Sequence, residues 1–351
     1  MTALGFVVPG RLDQITGGYL YDRRMVEGLR AQGRHIKVHE LPGRFPDADS
    51  VALDAAGSLL AGLPDGALLC IDGLALPGFA PVLAAHAARL AVVGMVHHPL
   101  ALETGLEAAE RARYAALEAR LLPLCCGLIC PSATSAAAVC AYGVAEARLA
   151  IVPPGLDRPS RAAIPRGDGP VRLLSIGTVT PRKGHVLLVE ALAEVASSSW
   201  RLTIIGSLGR DAETVRQLRR AIDLSGLGER IVLAGEYEPG QVGRAYADAD
   251  LFVLASFYEG YGMVFAEAMA QGLPILGTTG GAIPGTVPET AGILVPPGDR
   301  SALGLALGRL IADETLRGRL GRGALAAAAA LPDWDRSSRE FGAALDRFSA
   351  R

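Results

Sequence analysis

The chain has 351 residues, half of them apolar, with 43 glycines, 22 prolines and a formal net charge of -2. That length allows two domains with separate cores, and the near-neutral balance gives no electrostatic footprint for nucleic acid. No apolar stretch reaches the roughly 18 to 20 residues that span a bilayer, and the N-terminus lacks a signal-peptide pattern, so a cytoplasmic protein with no transmembrane segment is expected, leaving peripheral membrane contact open.

In the first half, Gly5 to Val8, Ile36 to Glu40, Ala67 to Ile71, Ala91 to Val96, Gly127 to Cys130 and Leu149 to Val152 read as short apolar strands alternating with helical segments. Gly17-Gly18 falls between the first strand and a helix from Tyr19 to Arg30, as a plain turn or as one that lets backbone approach a phosphate or sugar. The stretch from Arg11 to Arg44 is locally basic, which fits a solvated helix face better than a lipid-facing one. His97 and His98 end the fourth strand, and Glu103 follows. The five cysteines, Cys70, Cys125, Cys126, Cys130 and Cys140, lie mostly in apolar runs and read as buried reduced thiols; Cys-x2-Cys spacing is missing, so no zinc is expected.

A proline- and glycine-punctuated stretch from Pro153 to Pro170 reads as the interdomain linker. The second series is Val171 to Ile176, Arg201 to Ile205, Ile231 to Ala234, Leu251 to Leu254, Pro274 to Gly277 and Gly292 to Val295. Two such series predict an α/β protein of two doubly wound, Rossmann-like parallel sheets, with ligands outside the carboxyl ends of the strands, in the cleft between the domains. The expected domains are 1–155, 156–331 and a last helix within 332–351.

Ile176-Gly-Thr-Val-Thr-Pro-Arg-Lys-Gly184 places the cations Arg182 and Lys183 after a strand, where they would neutralise a diphosphate; solvated loop cations are the plainer alternative. Asp248-Ala-Asp250 has a metal-binding spacing, but Asp250 directly precedes a buried strand, so no metal is predicted. The most informative segment is Ala255-Ser-Phe-Tyr-Glu-Gly-Tyr-Gly-Met-Val-Phe-Ala-Glu-Ala-Met-Ala-Gln-Gly-Leu-Pro274. It sets Glu259 on a loop and Glu267 on a helix from Met263 to Gln271, whose first N–H groups, near Gly262, Met263 and Val264, suit phosphate or sugar oxygens. The plainer reading makes Glu259 a cap and Glu267 a solvated helical residue.

With seven residues between Glu259 and Glu267, this segment resembles the signature of the family-four retaining glycosyltransferases of the GT-B fold. The resemblance extends to the Ile176–Gly184 loop, to Val152-Pro-Pro-Gly-Leu-Asp157 and to Thr278-Thr-Gly-Gly281. It implies a retaining, metal-independent transfer of a sugar from a nucleoside diphosphate, of the UDP-glucose or GDP-mannose type, to the hydroxyl of a small-molecule, glycan or lipid acceptor. No cofactor beyond that co-substrate is implied. The N-terminal domain would bind acceptor, the C-terminal domain the nucleotide sugar, and the last helix would cross back onto the first domain. Catalytic residues would be His97, reaching toward the donor sugar, with Arg182, Lys183 and Glu259. Donor contacts would come from Gly17, Gly18, Ser207, Gly235, Glu236, Tyr237, Gly260, Tyr261, Gly262, Met263, Val264 and Glu267, the last on the ribose. His98 and Glu103 are weaker acceptor candidates. Thr178 and Gly285 depart from the pattern, standing where relatives carry Arg and Glu, which keeps open a non-catalytic nucleotide-sugar-binding homologue. An epimerase or a phosphorylase on the same fold is the other alternative.

Overall fold

The computed structural model describes residues 4–158 and 169–350. The chain divides into two compact units, Met1–Gly155 with Pro332–Arg351, and Leu156–Leu331. Of the expected linker, residues 159–168 lie outside the described residues.

The first unit is built on β1 (Leu4–Pro9), β2 (Ile36–Leu41), β3 (Leu68–Asp72), β4 (Ala91–Met95), β5 (Gly127–Cys130) and β6 (Leu149–Ile151), all parallel, in the order β2-β1-β3-β4-β5-β6. Helices cover both faces of such a sheet, which is why Phe6, Val7 and Val8, or Leu69, Cys70 and Ile71, are apolar without alternation and fully buried. The second helix-forming device is local: Thr16 caps the helix Gly17–Ala31 by accepting from the Tyr19 amide. Gly17 and Gly18 are therefore the first two residues of that helix and not a turn before it, because the cap lies one residue earlier than the glycines suggest.

The last helix, Trp334–Ser349, belongs to this unit. It lies against Gly17–Ala31, with Arg34 bridging to Asp346 at 2.6 Å and Gln32 bonding Ser338. Phe341 and Phe348 are buried, each stabilising the contact by about 1.5–3 kcal/mol, and Phe348 fills the space a side chain at Gly127 would need.

The second unit repeats the plan with β7 (Val171–Ile176), β8 (Trp200–Ile205), β9 (Ile231–Gly235), β10 (Leu251–Val253), β11 (Ile275–Thr278) and β12 (Gly292–Val295), parallel in the order β12-β11-β10-β7-β8-β9. In each sheet the chain reverses its direction of travel once, between β1 and β3 in the first unit and between β7 and β10 in the second. Loops leaving two neighbouring strands at such a point turn to opposite sides and open a crevice at their carboxyl ends. Every strand predicted from the sequence is present, with ends within about one residue.

Candidate functional site

In the second unit the crevice is lined by the loops after β7 and β10. After β7, a single turn Pro181–Lys183 ends in Gly184, whose φ of +67° is left-handed and whose Cβ would sit 2.1 Å from the Ala255 carbonyl oxygen. Only glycine fits there, and the close approach brings the two loops into register. The Phe257 amide then donates to the Arg182 carbonyl at 2.8 Å, and the Arg182 guanidinium donates to the Tyr258 carbonyl at 3.0 Å.

Glu259 sits where these loops meet. Its Oε1 accepts from Lys183 Nζ at 2.6 Å and from Ser256 Oγ at 2.6 Å, and its Oε2 accepts from Arg182 at 3.3 Å. Its own carbonyl accepts from the Ala282 amide at 2.8 Å, with Gly281 in a left-handed conformation and packed so closely that a Cβ would meet that carbonyl. Burial by itself would raise the pKa of Glu259; Lys183, Arg182 and Ser256 more than reverse this and hold it at about 2. The carboxylate is thus ionised at any working pH, facing one cation fully and a second at longer range. Behind the pair lies His185, buried and pushed down to about 3 by burial and by Lys183, hence neutral.

Glu267 occupies the helix Met263–Ala270, which follows Gly262. Tyr246 Oη, on the helix Pro239–Asp248, donates to Glu267 Oε2 at 2.7 Å. Burial, then Glu267, drives the Tyr246 pKa well up, so the phenol stays a donor. Tyr261 is partly buried and its carbonyl accepts from Thr286 Oγ1 at 2.8 Å. Met263 and Val264 form the first turn of the helix, where amides have no preceding carbonyl. Gly260 follows Glu259 on the same loop.

The loops after β7, β8 and β9 are stitched by Val179 N–H to the Ser207 carbonyl (3.0 Å) and Gly206 N–H to the Gly235 carbonyl (2.8 Å). Ser207, Gly235, Glu236 and Tyr237 therefore share the carboxyl end of this sheet with Lys183, Glu236 exposed and Tyr237 half-buried. Thr178 lies on the β7 loop, and a side chain at Gly285 would meet nothing within 4 Å. Asp250 is structural: it bonds the Arg172 amide (2.9 Å) and guanidinium (2.8 Å) at the opposite end of the sheet.

The first unit brings a different group together. His97, two residues beyond β4, directs Nε2 to Asp22 Oδ1 and Asp72 Oδ2, both at 3.1 Å. Both carboxylates are buried, at 1% and 3% exposure. A Cβ at Gly18 would lie 3.4 Å from the ring, so Gly18 packs against His97, and Tyr21 meets it edge-on. His98 turns away to Glu103 at 3.3 Å. Gly17 is exposed at the helix start.

Asp22, Asp72, Ser256 and Tyr246 are absent from the sequence reading. Asp22 did carry a signal: with Met25, Val26 and Leu29 it falls on the buried stripe of its helix, where a carboxylate has no place without a partner.

Two Rossmann-like units, each with its polar cluster at the reversal of strand order, define the GT-B class of glycosyltransferase fold. Known structures agree. Sucrose-phosphate synthase from Thermosynechococcus elongatus superposes with a TM-score of 0.82 at 20% identity over 98% of both chains. Anabaena HepE, in complex with UDP and glucose, gives 0.74 at 18% identity over 99% of this chain and all of the other. At those identities the likeness is one of fold. Residues 68–158 match the family model described as Glycosyltransferase Family 4, and residues 170–313 the one described as Glycosyl transferases group 1. The chain belongs to the family-four glycosyltransferases. It is 33% identical to D-inositol 3-phosphate glycosyltransferase from Acidothermus cellulolyticus over 53% of this chain and 45% of that one. It is 28% identical to mannosylfructose-phosphate synthase from Agrobacterium fabrum, over 52% and 44%. The chain thus spans about half the length of the curated relatives it matches. Among the described residues, no helix is long and apolar enough to cross a membrane.

Proposed function

We propose that the protein moves a sugar from a nucleoside diphosphate to an acceptor hydroxyl, with retention of configuration and without a metal ion. The observation that carries this reading is the convergence of Lys183 and Arg182 on Glu259 at the carboxyl ends of β7 and β10. As a glycosidic bond to a diphosphate breaks, negative charge builds on the leaving oxygens, and two cations fixed in a partly buried crevice stabilise it with little reorganisation. Glu259 keeps both cations ordered and, with the amides from Gly260 to Val264, offers acceptors and donors to the donor sugar. Glu267, oriented by Tyr246, takes the ribose hydroxyls, and Ser207 with the Gly235 to Tyr237 segment frames the base.

Among the described residues, no second carboxylate is shown paired with Arg182 and Lys183 beside Glu259, unlike the paired acids of glycoside hydrolases. The leaving phosphate itself then takes the acceptor proton on the face it leaves. The names of two relatives, an inositol 3-phosphate glycosyltransferase and a mannosylfructose-phosphate synthase, make a phosphorylated polyol or sugar the first acceptor to try.

The test is product stereochemistry. EDTA-treated protein supplied with UDP-glucose or GDP-mannose and phosphorylated polyols should give an α-linked product by NMR. A β-linked product would overturn retention, and activity restored only by divalent metal would overturn the metal-free reading.

A further inference from the structure

We propose that Asp22 and Asp72 are positioning residues that clamp His97 through Nε2, so that the ring presents Nδ1, as an N–H donor, to a bound sugar. This rests on the reading of His97 as a sugar-facing residue.

Three separate elements deliver the cluster. Asp22 comes from the helix after β1, Asp72 is the last residue of β3, and His97 lies just past β4. β1 and β3 are the strands between which this sheet reverses order, so the cluster sits in the first unit's ligand crevice. Burying two carboxylates side by side is costly unless a cation or donors compensate. A structural imidazole would be satisfied by one acceptor; here two converge on the same nitrogen, each at 3.1 Å.

The donor and acceptor inventory then fixes the ring. With at least one of the two carboxylates ionised, that one only accepts, so Nε2 carries the proton. Gly18 lies closest to Cδ2 and Nε2, which leaves Nδ1 as the polar atom not engaged by the clamp. The two carboxylates raise the His97 pKa to about 10 against the opposing effect of burial, which puts a proton on Nδ1 as well. The Asp22 pKa is raised to about 7 through burial and the neighbouring Asp72 charge, so the pair gives up its second proton only near neutral pH. Other titratable groups nearby are Tyr21 on the same helix as Asp22, Cys70 on β3 and Cys130 on β5, all with pKa values raised by burial and so uncharged, with Glu340 of the last helix acting on Tyr21. None supplies a competing cation. His97 consequently acts as a hydrogen-bond donor to a sugar oxygen, not as a base toward the acceptor.

Long-range nitrogen–proton NMR of histidine-labelled protein, with His97 assigned by its loss in His97→Asn, reads this directly and needs no substrate. Both ring nitrogens should be protonated from pH 6 to about 9, and Asp22→Asn and Asp72→Asn should each lower the titration of His97 by about one pH unit or more. A wild-type His97 titrating near 6.5, or ring shifts that change on adding EDTA because a metal ion occupies Nε2, would overturn the clamp even if the variants do not fold. In turnover assays the Asp72→Asn variant should lose about 10–100-fold in kcat with donor KM held within about twofold. An unchanged kcat would overturn the positioning role. Failure of the wild-type protein to bind any nucleoside diphosphate would instead sink the transferase reading and leave the NMR result standing.

Discussion

At the residue scale, the two glutamates of the signature spacing do different work. Glu259 has both oxygens committed to cations and to Ser256, whereas Glu267 has one oxygen held by Tyr246. Glu267→Ala should weaken nucleoside diphosphate binding by about 1–3 kcal/mol through lost charged hydrogen bonds, and Tyr246→Phe by about 0.5–1.5 kcal/mol, both read by calorimetry. Unchanged affinity in the first would count against the ribose role. Lys183→Ala should depress turnover more than it weakens binding of the free nucleoside; equal losses would argue against leaving-group stabilisation. Glu259 also couples stability to pH. Its folded pKa of about 2 lies below the ordinary value of 4.5, so its contribution is fully present above pH 4.5 and lost as pH falls through 2. Glu259→Gln removes the carboxylate charge that two partly buried cations share and should cost about 3–5 kcal/mol at neutral pH, with the two proteins converging toward pH 2 in urea melts. A pH-independent difference would contradict the ion-pair account.

At the scale of elements, the strands were legible because a parallel strand buried on both faces must be a short apolar run, as Leu251 to Leu254 and Gly127 to Cys130 are. The signature segment was legible too, since the left-handed Gly262 ahead of the helix Met263–Ala270 is a device the sequence displays openly. What remained hidden depends on pairing across long sequence separation. Asp22 and Asp72 are 50 positions apart, Tyr246 and Glu267 21, and no local pattern announces that they meet. The last helix was legible in its position, and its return to the first domain was implied by the resemblance, but the residues it meets there were not. Its Phe348 packs on Gly127 so closely that a Cβ there would lie 2.2 Å from the ring. Phe348→Ala should destabilise the first unit by about 3–5 kcal/mol, measured by urea denaturation; a loss under about 1 kcal/mol would mean that the helix is not integral to that core.

At the scale of the whole molecule, the chain carries the same construction twice, and each unit puts its chemistry where strand order reverses. The cations paired with Glu259 fall in the second unit, and the histidine with its two carboxylates falls in the first. The proposed function puts the nucleotide in the second unit, and the measurement that tests it most directly is isothermal titration calorimetry of the EDTA-treated protein with UDP, GDP, ADP and their common sugar conjugates. Saturable binding of one nucleoside diphosphate, weakened by Lys183→Ala and by Glu267→Ala but not by Asp72→Asn, is the predicted result. Absence of binding to every one of them, with the protein folded, would contradict the account.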